Sequence, residues 1–147
     1  NTVHFTRTIP FGGDHITRAL QEKLDIEYYQ AEEYKKTYGI DKSHFDGKIH
    51  DIIKPVIDSI LVEVKRALLF FSSQNSSISI KKAIISGGCS QLPGFLTYLV
   101  DALDIEVILG SPLKNMTISP KLEKRSSILL DNASIYTASI GLALKGN

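Results

Sequence analysis

Apolar residues recur every three or four positions along much of this chain, which is the period of an α-helix with one buried face. The first such segment follows Asp14, a residue type that favours the N-cap, and continues to Leu24. A second spans Glu27 to Tyr38 and stops at Gly39, which suits the left-handed position after a helix. Two consecutive helices are therefore predicted in this part of the chain.

The third helical segment is the longest and runs from Phe45 to Phe71. Pro55 lies inside it and should kink or divide it, because proline lacks a backbone donor and crowds the preceding turn. The serine-rich stretch from Ser72 to Ser77 is predicted to be a loop. The apolar positions that hold the helical period are Ile49, Ile52, Ile53, Val56, Ile57, Ile60, Leu61, Val64, Leu68 and Phe71.

Runs of β-branched residues predict strands between the helical segments. One extends from Thr2 to Ile9 and ends at Pro10, a second from Ile80 to Ser86, and a third from Glu106 to Leu109. A helix that starts near Pro93 should separate the last two strands, because proline is favoured in a first turn.

The remainder of the chain is predicted to be irregular from Lys114 to Leu130, with Asp131 capping a final helix. The order is then strand, three helical segments, strand, helix, strand, helix. Such alternation is typical of an α/β fold in which helices pack on a mixed sheet.

Composition narrows the function classes. Of 147 residues, 43% are hydrophobic and 22% are charged, as in an ordinary globular domain. The formal charge of +1 gives no overall field that would attract nucleic acid. The single cysteine, Cys89, excludes an internal disulfide, and the four histidines lack metal-ligand spacing. No apolar stretch is long enough to predict a membrane span.

Paired glycines follow the second strand in the segment Ser86 to Gly94. Gly87 and Gly88 would let a planar ligand or a phosphate approach the backbone closely. A tight strand-to-helix turn explains them equally well, because the segment matches neither the dinucleotide fingerprint nor the P-loop. Cys89 has no assignable His or Asp partner in the sequence, so a nucleophilic role is not predicted.

Two further segments carry candidate chemistry. Glu32 and Lys35 lie three residues apart and share a helix face, so they could meet a ribose hydroxyl or the edge of a base together. Spacing alone favours an ordinary solvated ion pair. Gly12 and Gly13 mark another strand-to-helix turn, which pattern alone favours as structural, and Thr17 could cap the helix or touch a ligand.

Taken in order, these segments resemble the actin-like superfamily and, most closely, its PilM family. Arg7 to Thr17 looks like "R-x-I-P-x-G-G-x-x-I-T", and Ala31 to Lys35 looks like "A-E-x-x-K". Ser86 to Gly94 is similar to "S-G-G-x-x-x-L-P-G". Ser111-Pro112 stands where the family has a strand followed by "N-P", and Ile140 to Leu144 resembles the closing "I-G-L-A-L" helix.

The resemblance implies the second domain of an actin-like ATPase, with a ribonuclease H-like α/β fold and a small helical or αβ subdomain. Residues 1–24 and 47–147 would form the large subdomain, and residues 25–46 would belong to the small inserted one. We expect a first domain upstream, because the family's phosphate loop has no counterpart here.

The implied cofactor is ATP or ADP with Mg²⁺. Glu32 and Lys35 would face the ribose and adenine, beside a glycine loop on the adenosine side. No catalytic residue and no metal ligand is implied within this chain, so this chain alone is not expected to hydrolyse ATP. The intact protein is expected to hydrolyse ATP slowly at most. The implied cofactor-binding residues are Glu32, Lys35, Gly87, Gly88, Ser90, Gly12 and Gly13.

By the same resemblance, the intact protein would be a scaffold of the type IV pilus assembly platform. It would lie in the cytoplasm, peripheral to the inner membrane and without direct insertion. It would bind a PilN-like cytoplasmic tail through the upstream domain, and it would also bind other platform components. It is not expected to bind nucleic acid. Two alternatives are an FtsA-like cell-division filament protein and a protein-interaction module with a decayed nucleotide site.

Overall fold

A computed structural model describes residues 3–75, 78–114, 116 and 130–145. Within these ranges the chain forms helices and a pair of strands, with short 3₁₀ turns at Phe45–Gly47 and Gly88–Gln91. The helices and strands are α1 (Gly13–Leu24), α2 (Tyr28–Tyr38), α3 (Lys48–Gln74), β1 (Lys82–Ile85), α4 (Phe95–Leu103), β2 (Glu106–Leu109) and α5 (Thr137–Lys145).

The two described strands run parallel, with Ile84 of β1 opposite Ile108 of β2. Parallel strands cannot be joined by a tight hairpin, and α4 supplies the crossover between them. The helix packs against β2, where Val107 is buried. This βαβ unit confirms the predicted order of the second strand, the helix and the third strand.

The core lies mainly where α1 and α3 pack together, with α2 against both. Apolar residues at helical spacing meet there because each helix presents one apolar face. Ile16 and Leu20 of α1 and Ile53 and Ile57 of α3 have at most 1% of their surface exposed. Burial of each such side chain contributes roughly 1.5–3 kcal/mol to the stability of the fold. The packing of these helices therefore supplies the main stabilising core of the described structure.

One backbone contact joins the end of α2 to the segment before α4. The amide of Ile40 donates to the carbonyl of Pro93 at 2.9 Å, and Gly39 lies directly against Pro93. Gly39 has φ +52° and ψ −135°, so it does not adopt the left-handed helical conformation predicted for it, although its φ is positive. The contact fixes α2 relative to the Gly88–Gln91 turn.

The predicted N-terminal strand is wrong for the described residues 3–9, which have an irregular backbone. Their side chains pack on α3, with the ring of Phe5 centred 5.1 Å from that of Phe70 and with Arg7 paired to Glu63. Alternating side chains specify a strand only where a partner strand accepts the backbone hydrogen bonds, and here the segment packs on a helix through its side chains.

Two predicted N-caps are also wrong. Helix α1 begins at Gly13 with Gly12 as its N-cap, and the carboxylate of Asp14 instead accepts hydrogen bonds from Arg18 and Tyr28. At the other end of the chain, α5 begins at Thr137, six residues after the predicted cap. Most of the segment from 114 to 130 that was predicted to be irregular lies outside the described residues.

The long helix differs from its prediction at three points. It starts at Lys48, because the preceding Phe45–Gly47 turn has positive φ angles. It does not divide at Pro55, and it continues to Gln74 through part of the predicted serine loop. None of the helices in the described ranges combines the length with the apolar character that a membrane span requires.

The helix between the strands also begins later than predicted. Pro93 lies in a turn, Gly94 precedes α4 with φ +76°, and the first helical residue is Phe95. Strand β1 is shorter than its prediction because Ile80, Lys81 and Ser86 fall outside it. The assignment of residues 25–46 to a separate subdomain stays a prediction.

Candidate functional site

A cleft of about 590 Å³ opens between the start of α1, one face of α2 and the Gly88–Gln91 turn. Its volume falls within the roughly 300–1,000 Å³ typical of small-molecule sites. Four residues singled out from the sequence line it together: Gly13, Glu32, Lys35 and Gly88. Segments that are far apart along the chain thus meet at one opening.

The other three predicted residues, Gly12, Gly87 and Ser90, stand outside the lining of this cleft in the described structure. Ser90 is buried, and its hydroxyl donates to the carbonyl of Gly87 at 2.7 Å. The amide of Gly87 donates to the carbonyl of Ser134 at 2.8 Å. Gly87 and Ser90 therefore stabilise the Gly88–Gln91 turn, which we call the glycine turn, without lining the cleft. Gly12 serves as the N-cap of α1.

Gly87 needs to be glycine for a conformational reason. Its φ of +92° with ψ of 175° falls in a region that side chains exclude. Gly88 has neither a positive φ nor any atom within 4 Å of the position that a Cβ would take. The described fold therefore does not require glycine at position 88. The missing side chain leaves open space at the cleft.

A buried polar cluster connects α1 to α2 at the floor of the cleft. The ammonium of Lys35 donates to Glu32 Oε2 at 2.5 Å, to Thr17 Oγ1 at 2.8 Å and to the carbonyl of Gly13 at 3.2 Å. Thr17 also donates to Glu32 Oε2 at 2.7 Å. We call Thr17, Glu32 and Lys35 the α1–α2 clasp. Thr17, which the sequence suggested as a cap or ligand contact, is fully buried in it.

Glu32 is the anionic member of the clasp. Partial burial alone would raise the pKa of Glu32, but hydrogen bonds from Lys35 and Thr17 outweigh that effect and hold it below its usual value of 4.5. Its second oxygen, Oε1, lies 3.5 Å from the ammonium of Lys36. The cleft therefore contains a carboxylate that stays ionised and whose Oε2 accepts the hydrogen bonds from Lys35 and Thr17.

This depressed pKa predicts a pH dependence of stability. A carboxylate whose pKa is lower in the folded state stabilises the fold fully above about 4.5, and that stabilisation is lost as the pH falls through the folded pKa. We expect the melting temperature of the wild type to fall more steeply below that pH than that of Glu32→Gln. Thermal melts of both proteins from neutral to acidic pH measure the difference, and parallel curves would contradict the prediction.

Three cleft residues on α2 share one face: Tyr28, Glu32 and Lys36. Their i, i+4, i+8 spacing was a signal that could have identified Tyr28 and Lys36 from the sequence. The hydroxyl of Tyr28 donates to Asp14 at 2.8 Å, which raises the pKa of the phenol and lowers that of the carboxyl. Tyr28 and Asp14 thereby form a second link between α1 and α2, at the edge of the cleft.

The remaining lining comes from the glycine turn and the segment before α5. Gln91 donates to the carbonyl of Asp131 at 3.0 Å, which places Ile135 at the cleft, and no short-range pattern predicts such a contact. Cys89 packs against the core, and burial raises the pKa of its thiol. A Cβ on Gly13 would lie 2.9 Å from its sulfur, which shows how closely the start of α1 approaches the turn.

Comparisons with known proteins identify the family. The family model described as type IV pilus assembly protein PilM matches residues 1–147. A solved PilM-PilN type IV pilus biogenesis complex has a similar structure, with a TM-score of 0.79 and 28% sequence identity. The match covers 95% of this chain and 38% of that one, so this chain spans well under half of its length.

The structural match confirms the predicted α/β, actin-like fold. The family match covers every segment on which the resemblance rested, from Arg7 to Leu144. This chain belongs to the family of type IV pilus assembly protein PilM.

Proposed function

We propose that the intact protein is an ATP-binding scaffold of the type IV pilus assembly platform, and that this chain supplies the ribose-and-adenine side of its nucleotide site. One observation carries the proposal. In a chain of the PilM family, the cleft brings Glu32 and Lys35 of α2 together with Gly13 and Gly88.

The donors and acceptors of the cleft suit a nucleoside. Glu32 Oε1 is an ionised acceptor that a ribose hydroxyl can approach, and hydrogen bonds to charged groups are worth about 1.5–3 kcal/mol. The open space at Gly88 admits a planar base or a sugar close to the backbone. ATP would supply the phosphates and bind Mg²⁺, and we infer that the residues that hold them lie in other parts of the intact protein.

A structural role for the ligand fits this chain better than a catalytic one. An efficient general base has a pKa near the working pH. Hydrogen bonds from Lys35 and Thr17 instead lower the pKa of Glu32, which makes its carboxylate a weak base. In this proposal, bound ATP stabilises the closed arrangement of two domains by mass action, and hydrolysis is slow at most.

The solved relative is a complex of PilM with PilN. We infer that the intact protein binds a PilN-like cytoplasmic tail and other platform components, at the cytoplasmic side of the inner membrane. We assign no residue of this chain to the tail, because the proposed contact uses the first domain. Residues 25–46 would form part of a small subdomain over the nucleotide.

The proposal predicts that Mg-ATP raises the melting temperature of the full-length wild type, and that Gly88→Ala suppresses this shift. At a ligand concentration of about 100 Kd, binding adds roughly 2.7 kcal/mol to stability. Gly88→Ala should leave the ligand-free melting temperature unchanged, because its backbone is unstrained and its Cβ meets no atom. The added methyl group occupies ligand space, so the shift should fall by half or more. Differential scanning fluorimetry measures both quantities.

A matched control is Gly141→Ala in α5, where a Cβ also meets no atom within 4 Å and which is not part of the cleft lining. We expect it to keep the full ATP shift. An unshifted wild type at saturating Mg-ATP would overturn the nucleotide proposal and favour a protein-interaction module with a decayed site. A full shift in Gly88→Ala would place the ligand away from this cleft.

A further inference from the structure

Asp58 joins α3 to α4 through both oxygens of its carboxylate. Oδ1 accepts a hydrogen bond from the hydroxyl of Tyr98 on α4, and Oδ2 accepts one from the ammonium of Lys54 at 2.5 Å. The same ammonium lies 5.7 Å from the centre of the Tyr98 ring, within the range of a cation–π contact. We call Lys54, Asp58 and Tyr98 the α3–α4 link. In the described structure, all three stand outside the lining of the cleft.

The protonation states of the link fix the direction of its central hydrogen bond. Partial burial alone would raise the pKa of Asp58, but hydrogen bonds from Lys54 and Tyr98 hold it below its usual value. Burial and the hydrogen bond to Asp58 raise the pKa of the Tyr98 phenol. The phenol therefore keeps its proton and donates it to an ionised carboxylate, and such charge-assisted bonds are stronger than neutral ones.

Both partners of this hydrogen bond stand beside buried positions. Ile57, next to Asp58 in α3, is fully buried, and Leu99, next to Tyr98 in α4, is 5% exposed. Tyr98 lies in the first turn of α4, which begins at Phe95. The link therefore connects the first turn of α4 to the part of α3 that packs in the core.

Backbone hydrogen bonds continue from the first turn of α4 to the glycine turn. The amide of Tyr98 donates to the carbonyl of Gly94 at 3.0 Å. Next along the chain, the amide of Phe95 donates to Leu92 at 3.0 Å, and that of Leu92 donates to Cys89 in the turn itself at 3.2 Å. Contiguous hydrogen bonds of this kind can carry a displacement from one end of a segment to the other. A shift of Tyr98 is thus expected to move the glycine turn.

We propose that Asp58 is a positioning residue for the nucleotide site: it holds Tyr98 and, through the start of α4, sets where the glycine turn stands opposite α2. This role rests on the proposed function and extends it to a side chain outside the cleft lining. The end of α2 holds the same stretch through the hydrogen bond from Ile40 to the carbonyl of Pro93. The stretch is therefore fixed from α2 and from α3, and loss of the α3 contact lets the turn move relative to α2.

Tyr98→Phe in the full-length protein tests this role, because it removes the hydroxyl and keeps the ring. Mg-ATP titrations by calorimetry measure the Kd at a temperature at which every variant is folded. We expect Tyr98→Phe and Asp58→Ala each to weaken ATP binding about fivefold, a size typical of coupling through a packed network. Asp58→Asn should keep most of the affinity, because its amide oxygen can still accept the hydrogen bond from Tyr98.

Lys54→Met is the matched control within the link. It removes the ion pair with Asp58 and leaves the hydrogen bond from Tyr98 in place. We expect a Kd within about twofold of the wild type, because exposed ion pairs contribute little and this one does not join the two helices. In the Asp58→Ala background, adding Tyr98→Phe should also change the Kd by less than about twofold, because both substitutions break the same hydrogen bond.

Wild-type affinity in Tyr98→Phe would overturn the positioning role. An equal loss of affinity in Lys54→Met would also overturn it, because the Kd would then follow the link's contribution to stability and not the hydrogen bond to α4. Tyr98→Phe and Lys54→Met decide the question by themselves if Asp58→Ala fails to fold. A wild type that binds no ATP would overturn the proposed function and this role with it, and that result is distinct from a wild type that binds while Tyr98→Phe binds equally.

Discussion

Gly39→Ala is expected to destabilise the protein by about 2–6 kcal/mol, the largest effect of any single substitution considered. Its Cβ would lie 2.3 Å from the carbonyl oxygen of Pro93 and 2.7 Å from the ring Cδ. These are backbone and ring atoms that cannot turn aside, so overpacking contributes about 1–3 kcal/mol. The φ of +52° with ψ of −135° adds about 1–3 kcal/mol of strain for any residue with a side chain.

Urea denaturation followed by far-UV circular dichroism measures the effect as a lower midpoint. Gly47→Ala is the matched control, because Gly47 has φ +79° but no atom within 4 Å of a Cβ. It should therefore show only the backbone strain, about 1–2 kcal/mol. Equal losses in the two variants would mean that the Gly39–Pro93 contact is not as close as described.

The same substitution should affect the cleft. The amide of Gly39 ends α2 by donating to the carbonyl of Lys35 at 2.9 Å, and the next residue bonds to Pro93. We expect a shift of Gly39 away from Pro93 to separate α2 from the glycine turn and to widen the gap between Glu32 and Gly88. The Gly39–Pro93 contact would then also determine the width of the candidate site.

The helices could be predicted from the sequence because the pattern that specifies a helix lies within a short stretch of the chain. Residues Ile49 to Phe71 repeat an apolar face, and periodicity reports that face directly. The strand prediction was wrong for the described residues 3–9 because alternation describes side chains, whereas a strand also needs a partner backbone. The end of the long helix was placed too early because the serines at 72 and 73, which favour loops, are carried by a preceding helix of many turns.

The candidate site was only partly predictable for the same reason. Glu32 and Lys35 lie on one helix, so their pairing follows from spacing. Thr17 completes the clasp from another helix. This contact depends on how α1 packs on α2, which no local pattern encodes. Gln91 reaches Asp131 across 40 positions, and Ile135 enters the cleft through that contact. The glycines were found because Gly87 has a backbone conformation that other residues avoid.

Lys35→Met is expected to destabilise the protein by about 2–3 kcal/mol and to be partly rescued by Glu32→Gln. Removing one partner of a buried ion pair costs about 3–5 kcal/mol, because the other charge is left without compensation. The Glu32 side chain retains 25% exposure, so solvent reduces that cost. The loss of the ammonium also removes the donor that Lys35 supplies to the hydroxyl oxygen of Thr17.

The double variant Lys35→Met with Glu32→Gln should be more stable than Lys35→Met alone, since the neutral amide needs no countercharge. Urea midpoints of the wild type, both single variants and the double variant give the coupling free energy, which we expect to exceed about 1 kcal/mol. Lys36→Met is the control in the ligand-free protein, because an exposed lysine contributes about 0–1 kcal/mol through its ion pairs. Strict additivity of the two clasp substitutions would contradict the clasp, because Lys35 would then stabilise the fold through contacts that do not involve Glu32.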